Sequence, residues 1–258
     1  MIFESHAHYE DEKFDTDRIE LLSSMLGKNI GRIINVGSTM ETSRKSVELA
    51  DAYELVYAAI GVHPSEIDCL NEDEFEWLRE HASDSKVVSI GEIGLDYYWD
   101  KEPEVQKRQR YWFERQLELA KEVNLPVIIH SRDAAEDTMK LMKSAHSSDI
   151  KGVIHCYSYS KEQAIEYVKM GYYIGVGGVI TFKNGRKLRE TVEAIPLDRI
   201  LLETDCPYMA PEPFRGQRND STLIPYMVDK IAEIKGLSTE EVEEATWNNA
   251  TTLFDKVK

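Results

Sequence analysis

Cysteine is scarce in this chain: Cys69, Cys156 and Cys206 are widely spaced, and no two have the short separation of a zinc knuckle. An odd, scattered set excludes a disulfide framework and fits a reduced, intracellular protein. Basic residues are also in deficit. Lysine and arginine number 31 against 47 aspartates and glutamates, a net charge of −16. That balance excludes coating nucleic acid with a broad basic surface, which depends on neutralising many phosphates. It leaves room for phosphate chemistry inside a cleft, where bound divalent cations reverse the local potential. Long apolar runs are missing as well. The N-terminus reaches Glu4 and His6 at once, without the basic and apolar segments of a signal peptide, and no run is long enough to span a bilayer. A cytoplasmic protein without a membrane partner is the expectation.

What is present is alternation of short apolar runs with helical segments. Candidate strands fall at 2–8, 32–36, 55–60, 87–95, 126–130, 152–156, 172–176 and 199–204. Uniformly apolar, β-branched runs suit parallel strands covered on both faces. Between them, Phe113, Leu117 and Ala120 predict a helix over 104–123 that stops at Asn124 before Pro126. Ser160 with Gln163, and Ser238 with Glu241, make capping-box patterns, and Gly171 and Gly236 fall where helices end. The length of 258 residues is near the roughly 250 of a (β/α)8 barrel. We expect such an α/β barrel as one domain over 1–258, with one or two extra C-terminal helices. An open doubly wound sheet is the alternative, but it does not easily join the first and eighth strand ends.

That junction matters because ligand-type side chains stand at the C-terminal ends of these runs. His6 and His8 alternate at the first, so a strand would point both imidazoles to one face. Glu92, His130, His155 and Asp205 end later runs, and barrel enzymes build their sites at those ends. This set exceeds the three protein ligands usual at one catalytic zinc, which favours two divalent ions, Mg, Mn or Zn, about 3.5–4 Å apart. Glu92 is the expected bridge, with His6, His8 and Asp205 around one ion and His130 and His155 around the other. Cys156 and Cys206 each directly follow a ligand, so in a strand they face away and are not expected to coordinate.

Six segments together resemble the TatD family of metal-dependent deoxyribonucleases, within the amidohydrolase-like hydrolases. They are His6-Ala7-His8, Gly61-Val62-His63-Pro64, Ile90 to Tyr98, Ile129 to Ala134, His155-Cys156-Tyr157-Ser158 and Leu202 to Pro207. The similarity continues through the loop Arg215 to Asn219 and covers most of the chain. It implies metal roles for His6, His8, Glu92, His130, His155 and Asp205, and a DNA substrate attacked at the phosphodiester bond, as an exonuclease on single-stranded ends. Asp205 and Glu92 are the expected catalytic residues, with Asp205 deprotonating the attacking water. His63 is expected near the mouth, in phosphate binding or proton transfer. Arg132, Arg215 and Arg218 are candidate phosphate grips, since a guanidinium presents paired donors. Tyr97, Tyr98, Trp99 and Tyr157 are candidate stacking surfaces for bases. Two places depart from the family pattern: Tyr157-Ser158-Tyr159 replaces a frequent Phe-Ser-Gly, and the proline often found near Ser221 is missing. Both bear on the cleft lining more than on the metal shell. Residue pattern alone supports metal-assisted hydrolysis, so a small-molecule metallohydrolase and a metal-stabilised binding partner stay open as alternatives.

Overall fold

The computed structural model describes residues 1–146 and 148–258. Eight parallel strands follow one another around a single sheet in chain order. They are β1 (Ile2–Ala7), β2 (Ile30–Val36), β3 (Val56–Ile60), β4 (Val87–Asp96), β5 (Val127–Arg132), β6 (Gly152–Ile154), β7 (Tyr173–Val176) and β8 (Ile200–Leu202). The last strand meets the first through a parallel bridge between Ala7 and Cys206. Asp205 N–H donates to the His6 carbonyl at 3.0 Å and His8 N–H to the Cys206 carbonyl at 2.9 Å. The ring thus closes, as expected, and it closes at the ligand-bearing ends.

Helices alternate with the strands: α1 (Arg18–Ser24), α2 (Met40–Ala52), α3 (Glu72–His81), α4 (Pro103–Val123), α5 (Ala135–His146), α6 (Lys161–Lys169), α7 (Arg186–Ala194) and α8 (Ile224–Lys235). One further helix, α9 (Thr239–Leu253), follows. Asn124 caps α4 in the left-handed conformation, and the Ser238–Glu241 capping box opens α9. At α6 only half the box forms. Ser160 accepts from the Gln163 amide, but the Gln163 side chain donates to the Ala135 carbonyl instead.

One buried cluster draws residues from every strand, including Phe3, Ile34, Tyr57, Val88, Ile128, Val153, Tyr173 and Leu201. In a closed barrel such a set fills the interior, and Ala250, Leu253 and Phe254 from the C-terminal end of the chain pack against it. His130, His155 and Glu203 each stand two residues beyond an interior member, Ile128, Val153 and Leu201. The two-residue period of a strand therefore carries all three inward, above that apolar plug. In β1 a register irregularity between Glu4 and Ala7 brings in His6, three residues beyond interior Phe3, while Glu92 stands four beyond interior Val88 across an irregularity between Ile90 and Ile93.

Candidate metal centre

The cleft above the plug is a cavity of about 580 Å³ whose lining includes His8, His63, Glu92, His130, His155 and Asp205. His6 lies beneath it, fully buried. Glu92 stands at the middle with its two oxygens divided. Oε1 lies 2.9 Å from His130 Nδ1 and 3.0 Å from His155 Nε2, while Oε2 lies 3.6 Å from His6 Nε2. On the Oε2 side, His6 Nε2 and His8 Nε2 are 3.1 Å apart, and Asp205 Oδ1 lies 3.7 Å and 3.4 Å from them. Among the described residues three groups have one ligand atom per residue inside 4.8 Å: His6–His8–Asp205, His63–Glu92–His130 and His6–His155–Glu203.

The groups hold their lone pairs in place. His8 Nδ1 donates to the Val36 carbonyl at 2.8 Å, which leaves Nε2 free to coordinate. His130 Nε2 faces Asp96 Oδ2 at 3.0 Å, which turns its Nδ1 toward Glu92. Asp96 is itself fixed by the backbone N–H groups of Tyr98 and Trp99. Behind the rings, His6 and His155 stack with centroids 3.8 Å apart. Glu203 Oε1 accepts from the Cys156 amide at 2.6 Å and lies 3.7 Å from His155 Nδ1. Below His6, Glu4 receives hydrogen bonds from the Thr204 amide and hydroxyl and from Ser221, tying β1 to the segment that carries Asp205. Burial pushes the Glu4 carboxyl up to about 8, against those donors.

Electrostatics follow from packing acids among imidazoles. Burial alone would raise Glu92, but His155, His130 and His6 hold it well below the ordinary carboxylate value. Asp205 is likewise lowered, burial being outweighed by His8, His155 and His6. Burial works against the charged form of His8, yet Asp205 and Glu10 raise it well above its ordinary value. His155 is raised by Glu92 and Glu203 against burial. His63 goes the other way, to about 4, through burial and the neighbouring His130. In the absence of an ion, protons on imidazole thus balance the carboxylates. A divalent cation can take their place, and the nitrogen and oxygen donors suit magnesium, manganese or zinc.

The remaining sequence candidates fall in different places. His63 opens the turn Pro64–Cys69, and its Nε2 lies 4.0 Å from Glu92 Oε1, closer to the ligand set than a mouth residue. Arg132 lines the cleft, with its guanidinium 3.8 Å over the Tyr98 ring and 5.5 Å from Trp99. Arg215 and Arg218 are not among the lining residues. Arg218 grips both Asp17 oxygens and the Lys13 carbonyl, and Arg215 lies over Phe182 in a neighbouring groove. Tyr157 is buried, with its hydroxyl donating to the Ser160 carbonyl, and the Tyr97 hydroxyl donates to Asp137. Tyr98 and Trp99 are exposed. Tyr159, at the departure from the family pattern, braces the β5 end through Ser131 and the Ala134 amide.

Cys156 requires a correction. It does not continue β6 but adopts φ 45, so strand alternation does not apply, and it lines the cleft. No cysteine joins a metal-type cluster among the described residues, and burial with Asp205 and Glu203 nearby keeps the Cys156 thiol well above its ordinary pKa. Asp205 is also left-handed, at φ 58. Such backbone is uncommon outside glycine and concentrates at functional sites. Glu10, Asp96 and Glu203 were not singled out from the sequence. Asp96 lies four residues after Glu92 on β4 and Glu203 two before Asp205, an even spacing that signals a shared face, whereas Glu10 stands in the turn beyond β1.

A closed (β/α)8 barrel with clustered imidazoles and carboxylates at its C-terminal mouth is the architecture of a metal-dependent hydrolase. Comparison with known proteins places the chain more closely. The family model described as TatD related DNase matches residues 3–255, and the chain belongs to that family. It is 43% identical over 255 residues to YabD of Bacillus subtilis, an uncharacterized metal-dependent hydrolase, covering 98% of this chain and 99% of that protein. The crystal structure of YjjV, a TatD homolog from Escherichia coli, superposes with a TM-score of 0.91 at 33% identity, covering 98% of each chain. A TatD family hydrolase from Entamoeba histolytica shares the fold, with a TM-score of 0.86 at 24% identity over 98% of this chain and 97% of that one. Among the described residues no helix is long and apolar enough to cross a membrane.

Proposed function

We propose that this chain is a cytoplasmic two-metal phosphodiesterase that trims single-stranded DNA from an end. The observation that carries the reading is Glu92, whose two carboxylate oxygens turn to different ligand groups 2.9–3.6 Å away. A carboxylate placed in this way would let the chain hold two ions, with His6, His8 and Asp205 around one and His130 and His155 around the other. When bound, the ions supply Lewis acidity toward a phosphoryl oxygen and make water acidic enough to attack at neutral pH.

The protein's own residues supply the remaining steps. Asp205 has the most solvent-open side chain of the six, at 23% exposure against 1% for His6. Held ionised by its imidazole neighbours, it is placed to accept the proton of the attacking water. Arg132 lines the cleft with its guanidinium over Tyr98 and without an ion pair among the described residues, so its donors are available to a phosphate oxygen. The exposed Tyr98–Trp99 pair at its side offers a face for a base. A substrate taken by its end needs only these short contacts, which agrees with the acidic surface. Family membership supports DNA over other phosphodiesters.

The test is an end-labelled single-stranded oligonucleotide incubated with magnesium or manganese and with wild type or Asp205→Asn. Shortening from one end by wild type alone is expected. Turnover of small esters or amides with no cleavage of DNA would overturn the substrate reading.

A further inference from the structure

A second groove opens beside the metal cleft, and the two share Val179, Tyr208 and Met209 as a common wall. We infer that this groove is a subsite for the nucleotide that follows the one at the metal centre; the inference rests on the phosphodiesterase reading above. The cavity measures about 560 Å³ and includes Lys13, Arg215, Phe182 and Tyr208 in its lining, with no carboxylate among the lining residues. In a chain carrying 47 acidic against 31 basic side chains, a groove with two cations and no acid runs against the bulk composition.

The state of those cations is the second observation. Among the described residues, every arginine but two donates a hydrogen bond or forms an ion pair. The exceptions are Arg132 in the metal cleft and Arg215 in this groove. Each guanidinium lies against an aromatic face, Arg132 on Tyr98 at 3.8 Å and Arg215 on Phe182 at 4.4 Å. Ring stacking positions the planar group without using its five N–H donors. Lys13 is held in the same manner, 4.2 Å over Tyr208, and makes no ion pair among the described residues. Carboxylates abound on this surface and none has been recruited to these positions. The donors are therefore open to an anion from outside the chain, and paired N–H groups suit phosphate.

Position selects the kind of anion. The groove adjoins the metal cleft along one wall, so a ligand spanning both has a phosphate at the metals and a second phosphate at Arg215 and Lys13. A polynucleotide strand has that repeat. Tyr208, 47% exposed on the shared wall, gives the intervening base an apolar face. The Asn184 and Gln217 amides line the same groove and can meet base edges. Arg218 fixes the loop from the other side by gripping Asp17 and the Lys13 carbonyl, which ties together the two segments that supply the cations.

The experiment compares the metal-loaded enzyme on a thymidine dinucleotide and a thymidine hexanucleotide, reading kcat/KM for the first cleavage. In wild type the hexanucleotide is expected to be the better substrate. Arg215→Glu is expected to cut the hexanucleotide-to-dinucleotide ratio at least 10-fold, and Lys13→Glu to cut it in the same direction. Taking the ratio removes any general effect of reversing a surface charge. If wild type favours the longer substrate and both variants keep the wild-type ratio, the groove is not a subsite while the phosphodiesterase reading stands. If wild type cleaves neither length, that reading falls and the subsite with it.

Discussion

Glu203, buried, stands with its Oε1 3.7 Å from His155 Nδ1. His6 stacks on the same imidazole, and His6 Nδ1, His155 Nδ1 and Glu203 Oε2 are buried without a hydrogen-bond partner among the described residues. One atom each from His6, His155 and Glu203 lies within 4.8 Å of the others. An imidazole that coordinates through Nε2 carries its proton on Nδ1 and needs an acceptor there. Glu203 is placed to serve one ring from each half of the centre, and Gly175 makes room for it, since a Cβ there would lie 2.3 Å from Glu203 Oε2. Glu203→Gln keeps an acceptor for the Cys156 amide but removes the charge. Metal affinity measured by calorimetry is expected to fall about 10–100-fold. Unchanged affinity would reduce Glu203 to an anchor for the Cys156 backbone.

His63 donates no charge at neutral pH, because burial and His130 hold its pKa at about 4. Its Nδ1 accepts from the Ser65 amide at 3.2 Å, which leaves the proton on Nε2, the atom facing Glu92. A neutral ring in that tautomer is better suited to handling a proton than to gripping phosphate as a cation. His63→Ala is expected to lower kcat on an oligonucleotide by about 10²-fold, with KM changed far less. Full retention of activity would remove the ring from the chemistry, and a rise in KM alone would return it to binding.

Gly94 lies opposite His130 in the β4–β5 ladder with φ 147, and a Cβ there would sit 1.9 Å from the His130 carbonyl oxygen. A side chain must push the two strands apart exactly where Glu92 and His130 face each other. Gly94→Ala is expected to destabilise the metal-free protein by about 1–3 kcal/mol or more, read by urea denaturation, and to weaken metal binding as well. Wild-type stability in that variant would mean that the strands tolerate the separation.

The barrel and its ligand ends are legible in the sequence because both rest on short-range periodicity. Ile128 and His130, or Val153 and His155, are two residues apart on one run, and that spacing carries direction as well as position. Arg218 shows where such reasoning stops. Its partner Asp17 lies 201 positions away, across the chain closure, and no local pattern announces the pairing. The same holds for Arg215, which packs over Phe182 in the adjoining groove. Cys156 fails for a different reason: strand alternation assumes extended backbone, and a left-handed residue at the strand end breaks it. Glu10 and Glu203 were visible as acids, but their use depends on Asn35 and the Cys156 amide, contacts made only after folding.

Protons and metal compete for one set of nitrogens, and the competition is expected to appear as a stability optimum in the metal-free protein. His8, His130 and His155 are raised above 6.5, chiefly by Asp205, Asp96 and Glu92 working against burial. Their pairing contributes fully below 6.5, where the unfolded chain is protonated too, and is lost as pH rises through the folded values. His6 and His63 are lowered by burial, His63 to about 4, so below 6.5 the unfolded chain takes protons that the folded chain refuses. Glu92 and Asp205, held below ordinary carboxylate values, lose their contribution only on stronger acidification. Thermal unfolding in EDTA across pH ~5 to ~9 is therefore expected to peak near the unperturbed histidine value of about 6.5. Saturating manganese replaces the imidazole protons, so the decline on the alkaline side is expected to shrink. An EDTA profile that stays flat from pH 6.5 upward would mean that the imidazoles are neutral in the empty centre and that the carboxylates are balanced by something else.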